Sequence, residues 1–223
     1  MEHRLLVAED DPVGAQFLCC TLAPAGTVEH IADPQAWRER LHGPEPDLLV
    51  LDDHLGSARG DRMLAELRAA WGPGLPVLLV SADLPAPLQA ERVRQGASAC
   101  LAKPMSAEQL WRAVGALAPT LLPVWDDLAA SRALGEDAGT RLALRTLLRA
   151  ELPVLREQIV AAARHQDRRT LSEALHRLRA ACGFCGALAL GTAASGLGER
   201  PDPARIQAFE RACDALLSSE ACA

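Results

Sequence analysis

The feature that most constrains this chain is a set of five short apolar runs: Leu5–Ala8, Thr27–Ile31, Leu48–Leu51, Val77–Val80 and Ala99–Ala102. Four of the five are almost continuously apolar. Between and after them lie single amphipathic stretches at 12–23, 34–41, 61–70, 86–95 and 106–117. A strand that is apolar on both faces needs cover on both faces, and one helix between successive strands makes them run parallel. The spacing predicts an α/β, doubly wound, five-stranded parallel sheet over residues 1–118.

A second pattern takes over after Ala118. Of 15 prolines, 12 lie at or before Pro123. The segment 119–125 carries two of these and reads as a short, stiff linker. Residues 126–223 are rich in Ala, Leu, Arg and Glu, with helices expected at 126–133, 137–164, 167–182, 186–197 and 203–218. Asp167 suits an N-cap and Gly183 a C-terminal stop, while Pro153 should kink or split the second helix. This half is expected to be an all-α antiparallel helix bundle.

Charge narrows the functional classes. The net charge is −6, and residues 1–118 hold 16 acidic against 10 basic side chains, whereas the remainder holds 13 of each. Neither half offers the basic surface that nucleic acid requires. No run reaches the ~18 apolar residues of a membrane span, and Met-Glu-His-Arg is not the start of a signal peptide, so a cytoplasmic location is expected. Seven irregularly spaced cysteines fit reduced thiols, with Cys19 and Cys20 expected to pack as small hydrophobes.

In an open α/β sheet, ligands bind beyond the carboxyl ends of the strands. Those ends carry Glu9-Asp10-Asp11, Asp52-Asp53, Ser81 and Lys103-Pro104. Carboxylates converging on one crevice repel unless a cation bridges them, and hard oxygen donors suit Mg²⁺. Lys103 is the one lysine among 23 basic residues. A compact ammonium can serve where a planar guanidinium cannot. Cation, ammonium and hydroxyl together make a site for a phosphoryl group, and a carboxylate can be its acceptor. With no P-loop or glycine-rich cradle, ATP is not expected as the direct ligand. Acidic helix caps at strand ends would explain any one of these features, but not all of them together.

Leu5-Leu-Val-Ala-Glu9-Asp10-Asp11-Pro12, Pro46-Asp-Leu-Leu-Val-Leu-Asp52, Ser81-Ala82 and Gly96-Ala97 through Ala102-Lys103-Pro104 resemble, in order and spacing, a bacterial response-regulator receiver domain with its flavodoxin-like fold. The resemblance implies that Asp52 is the phosphoacceptor. It further implies that Glu9, Asp10, Asp52 and the His54 backbone carbonyl hold Mg²⁺, and that Ser81 and Lys103 contact phosphoryl oxygens. Two positions depart from the pattern. Gly56 stands where receivers usually have Pro, so a more flexible loop is expected. Cys100 stands where they usually have Tyr or Phe, which leaves the usual aromatic rotamer switch without its residue.

In the second half, His176 shares a helix face with Arg179, Ala180 and Gly183, beside a stripe of Leu171, Leu175, Leu178, Cys182 and Cys185. An exposed imidazole with space around it can attack phosphorus, and a nearby cation can neutralise the phosphate. By itself, the pattern is better read as a solvated surface histidine. His176-Arg-Leu-Arg179-Ala180-Ala-Cys-Gly183-Phe-Cys-Gly186-Ala187 resembles a histidine-containing phosphotransfer (HPt) domain. That resemblance implies His176 as phosphoacceptor and Arg179 as its phosphate-side cation, with Ala180 where glycine is usual.

Cys182-Gly-Phe-Cys185 has redox-motif spacing but no preceding strand, and no second Cys/His pair completes a zinc site. A base-reading helix would be too poor in Asn, Gln and Arg. The expected protein is a phosphorelay intermediate without a kinase's ATP site, partnered by a sensor histidine kinase or other receiver domains. The competing reading is a docking regulator whose helical half binds a partner without accepting phosphate.

Overall fold

The computed structural model describes residues 3–135 and 137–219. These fall into two compact units that divide between Leu122 and Pro123.

In the first unit, β1 (His3–Ala8), β2 (Gly26–Ile31), β3 (Leu48–Asp52), β6 (Val77–Ser81) and β7 (Ala99–Ala102) form one parallel sheet in the order β2-β1-β3-β6-β7. The central strands β3 and β6 are buried along their whole length, as their unbroken apolar sequences require. Helices α1 (Pro12–Leu22), α2 (Pro34–Arg40), α3 (Gly60–Trp71) and α4 (Ala86–Arg94) connect the strands, and α5 (Ala107–Leu117) follows the last of them. Their starts follow local chemistry: Asp11 accepts from the Gly14 N–H, Asp33 from Gln35 and Ala36, and Ser106 with Gln109 forms a reciprocal cap. A two-residue antiparallel ribbon, β4 (His54–Leu55) with β5 (Ala58–Arg59), follows β3. The sequence pattern did not indicate it.

The register positions the site. Ala8 pairs with Leu51, Asp52 with Val80 and Ser81 with Ala102. Backbone bonds extend this alignment past the strand ends: Glu9 N–H to Ile31, Asp53 N–H to Val80 and Lys103 N–H to Ser81. Glu9, Asp52, Ser81 and Lys103 are therefore delivered to one edge by the sheet itself.

The second unit comprises α6 (Asp127–Leu134), α7 (Ala138–Arg164), α8 (Arg168–Cys185), α9 (Leu188–Glu199) and α10 (Pro203–Ser218). Helix α7 packs on α8, α8 on α9, α9 on α10 and α10 back on α7, with α6 against α8. The last four helices are joined by very short connections, which makes neighbours antiparallel. Leu148, Leu152, Ile159, Leu171, Leu175, Leu178, Leu197 and Phe209 lie in a shared core. Full burial of such a side chain contributes about 1.5–3 kcal/mol.

Two expectations are corrected here. Helix α7 runs through Pro153 without a break. Pro153 is exposed, while Leu148 and Leu152 before it and Ile159 and Val160 after it are buried in one core. That packing keeps the helix from splitting, against a proline penalty of about 3 kcal/mol. The stop of α8 is Gly186, not Gly183: Gly186 has φ of +68°, and its N–H bonds the Cys182 carbonyl. A Cβ there would lie 2.0 Å from the Asp126 carbonyl oxygen, so the close approach admits glycine alone. Among the described residues, no helix is long and apolar enough to cross a membrane.

Candidate phosphoryl-transfer sites

At the carboxyl edge of the sheet, Lys103 Nζ donates to Glu9 Oε2 at 2.5 Å and to Asp52 Oδ2 at 2.6 Å. The other Asp52 oxygen accepts from the His54 N–H at 3.1 Å. Glu9 is fully buried, Asp52 nearly so, and Asp10 is exposed. One oxygen from each of these three carboxylates lies within 4.8 Å of the others. Three hard oxygen donors at that separation, one of them open to solvent, fit a divalent cation that keeps part of its water shell.

The electrostatics fit a crowded acidic site. Burial pushes the Glu9 carboxyl up to about 7 even though Lys103 opposes the shift, and Asp52 pushes the same way as burial. Burial pulls the Lys103 ammonium down, but its bonds to Asp52 and Glu9 outweigh that and the net direction is up. The ammonium is therefore charged across the neutral range.

Ser81 ends β6 at the same edge, but its hydroxyl is engaged elsewhere. It donates to the Asp83 carbonyl at 3.0 Å and accepts from the Asp83 N–H at 3.3 Å. The loop after Asp52 forms a tight turn between two short strands. Gly56 sits at φ of +55° in the turn between β4 and β5. Its N–H donates to Asp10 Oδ2 at 2.8 Å, a bond that a proline could not make.

Sequence reasoning missed that bond and two other features. The imidazole Nε2 of His30 lies 2.8 Å from the Glu9 carbonyl. Arg92, on a helix with polar surroundings, turns inward to Asp53. Only adjacency to Asp52 marked Asp53, and nothing local marked Arg92.

In the helical unit, Asp167 caps α8 by accepting from the Thr170 N–H. Leu171, Leu175, Leu178, Cys182 and Cys185 are buried, whereas His176, Arg179, Ala180 and Gly183 are exposed. A Cβ at Gly183 would meet no atom within 4 Å, so there is open space on the imidazole's face two turns along. Phe184, the next residue, is half exposed. The six described cysteines are free. Burial pushes the Cys182 and Cys185 thiols up, which leaves them protonated and unreactive at neutral pH. Cys20 faces solvent, with the Gln16 amide on its sulfur, and does not pack inward as expected.

Comparison with known proteins bears on both units. Residues 5–115 match the response regulator receiver domain family, and residues 143–219 match the Hpt domain family. No curated protein matches the chain. Among solved structures, the receiver domain of sensor histidine kinase PA1611 from Pseudomonas aeruginosa PAO1, described with a magnesium ion in its active site cleft, is 22% identical with a TM-score of 0.48. It covers 52% of this chain and 98% of its own. The Francisella response regulator 1452 receiver domain is 25% identical, covers 52% of this chain and 95% of its own, and has a TM-score of 0.48. A two-component response regulator from Clostridium difficile is 18% identical over 52% of this chain and 95% of its own, with a TM-score of 0.49.

The family matches place the chain in two-component phosphorelay signalling. More closely, it is a receiver domain followed by an Hpt domain in one polypeptide.

Proposed function

We propose that the protein passes phosphoryl groups between two-component partners through Asp52 and His176. The observation that carries this reading is the convergence of Glu9, Asp10, Asp52 and Lys103 on one edge of the sheet. A carboxylate oxygen of Asp52 attacks the phosphorus of a sensor kinase's phosphohistidine. A P–O bond forms, the P–N bond breaks, and its electron pair returns to the donor imidazole. Lys103, already on Asp52 Oδ2, supplies a positive charge where phosphoryl charge accumulates. Ser81 can join it only by giving up its bond to Asp83.

Glu9, Asp10 and Asp52, with the His54 carbonyl, would hold Mg²⁺. When bound, that ion would neutralise phosphoryl oxygens and lower their repulsion from the carboxylates. In the second unit, a ring nitrogen of His176 accepts the phosphoryl group from an aspartyl phosphate, with Arg179 near enough in helical spacing to pair with it. The exposed face of His176, Ala180 and Gly183 suits the approach of a receiver.

A second reading has one observation in its favour: the exposed methyl of Ala180 on the histidine face, where the family pattern has glycine. In that reading the Hpt unit docks a partner and only Asp52 is phosphorylated.

The test uses a phosphorylated receiver-bearing kinase, Mg²⁺, and the wild type, Asp52→Ala and His176→Ala proteins. Acyl phosphate is lost in base and phosphohistidine in acid. Acid-labile label that disappears only in His176→Ala establishes the relay. Base-labile label alone, with His176 silent toward several donors, favours docking. Label from small phosphodonors retained on the receiver unit of Asp52→Ala would sink the Asp52 assignment.

A further inference from the structure

Next to Asp52 lies a buried charge pair that its chemistry does not use. Asp53 is 1% exposed, and Arg92 of α4 grips both its oxygens: Nε donates to Oδ1 at 2.5 Å and Nη2 to Oδ2 at 3.1 Å. Arg92 is itself 3% exposed and is the one buried residue of α4, with Leu88 only half-buried and Val93 exposed. This helix is therefore fastened to the domain interior by an ion pair where an apolar stripe would be ordinary.

A buried ion pair is weak support for stability, because desolvation offsets its attraction. Its placement is more informative. The Asp53 backbone is fixed on both sides, its N–H bonding the Val80 carbonyl and its carbonyl accepting from the Gly60 N–H. A Cβ at Gly60 would lie 2.1 Å from Asp53 Oδ1, so a glycine opens the space that the carboxylate occupies. Cys100 on β7 sits close enough to feel both charges. One end of the pair is rigidly tied to Asp52, and the other carries α4.

We propose that the Asp53–Arg92 ion pair transmits the phosphorylation state of Asp52 to helix α4. This rests on Asp52 being the phosphoacceptor. Converting its carboxylate to an acyl phosphate adds about one further negative charge one residue from Asp53. Asp53 cannot retreat, so the response falls on the guanidinium, which is drawn more firmly into the pair. Helix α4, which has no other buried anchor, is ordered with it. Arg92 is a positioning residue in this scheme, acting through Asp53 and touching no reacting atom.

The experiment follows amide hydrogen exchange of α4 in the full chain, with and without acetyl phosphate and Mg²⁺, while base-labile label at Asp52 is read in the same samples. In wild type, phosphorylation should slow exchange across Ala86–Arg94 by roughly tenfold, the scale of an ordinary coupling between sites. Arg92→Met should lose that response while Asp52 is still labelled. Because that variant leaves a buried carboxylate unpaired, the double variant Asp53→Asn/Arg92→Met, which removes both charges, keeps the test sound if it misfolds. Arg92→Lys should restore part of the response through a single ammonium. An undiminished α4 response in the folded, labelled double variant overturns the proposal, as does an unresponsive α4 in labelled wild type. Absence of label in wild type overturns the phosphoacceptor reading, and this one with it.

Discussion

The backbone N–H of Gly56 donates to Asp10 Oδ2 at 2.8 Å from a turn in which Gly56 holds φ of +55°. Asp10 is the exposed member of the acidic trio, so this bond sets the direction of a carboxylate that packing leaves loose. Gly56→Pro removes the donor and forbids the turn's φ. If Asp10 holds Mg²⁺ as proposed, the change should weaken Mg²⁺ binding about tenfold, the lower end for loss of a partner behind a metal ligand. Gly56→Ala keeps the N–H and should retain affinity while losing about 1 kcal/mol of stability to the left-handed backbone. Calorimetric titration with Mg²⁺ and a thermal melt separate the two effects. Equal affinity in wild type and Gly56→Pro would remove the role given to this bond.

Lys103 reaches two carboxylates at 2.5 and 2.6 Å with one nitrogen. A guanidinium is planar and wider, and it cannot occupy the same point between them. Lys103→Arg should therefore slow labelling of Asp52 by acetyl phosphate by about two orders of magnitude, as loss of one charge-stabilising donor does, although net charge is unchanged. Wild-type rates in this variant would show that charge, not shape, is what the site uses.

The two glycines near the end of α8 should separate cleanly. Gly183 is helical, exposed and surrounded by open space. Gly183→Ala should raise stability by about 0.5–1 kcal/mol through helix propensity, whereas Gly183→Leu should slow phosphotransfer to His176 without unfolding the unit. Gly186→Ala combines a positive φ with a 2.0 Å clash against the Asp126 carbonyl, and should destabilise the helical unit by about 1–3 kcal/mol. Denaturant melts and transfer assays on the three variants test the assignment, and an opposite ordering would refute it.

Helices α7, α8 and α10 are capped at their N-termini by Asp137, Asp167 and Asp202. Hydrogen bonds from Thr140, Thr170 and Arg205, in that order, lead the causes that hold their carboxyls below the ordinary value of 3.8. A lowered folded pKa means that the capping contribution is fully present above 3.8 and is lost as pH falls through the folded values. Between pH 5 and about pH 2, amide exchange in the first turns of these helices should therefore accelerate beyond its intrinsic pH dependence. Asp167→Asn retains the acceptor without the titration, so the first turn of α8 should lose that extra acceleration. If wild type and variant track each other across this range, the caps do not set the acid limit.

Much of this was legible in the chain itself. The apolar runs have period and length enough to declare buried parallel strands, because burial on both faces leaves little choice of residue. Parallel strands end on one side, so Glu9, Asp52 and Lys103 could be placed together from their positions at strand ends alone. The stripe of Leu171, Leu175 and Leu178 likewise set which way α8 faces, and hence that His176 faces outward. What remained hidden depended on distant groups. Whether Gly183 or Gly186 ends α8 turns on the approach of the Asp126 carbonyl, some 60 residues earlier in the chain. Continuity through Pro153 depends on apolar side chains of other helices, which local propensity does not record. The Ser81 hydroxyl choosing Asp83, the Gly56 N–H choosing Asp10 and the Arg92 guanidinium choosing Asp53 are all cases of one polar group with several candidate partners. Sequence periodicity reports which side chains leave water; only the folded backbone, by fixing distances of a few ångströms across the chain, selects the partner that a buried polar group must have.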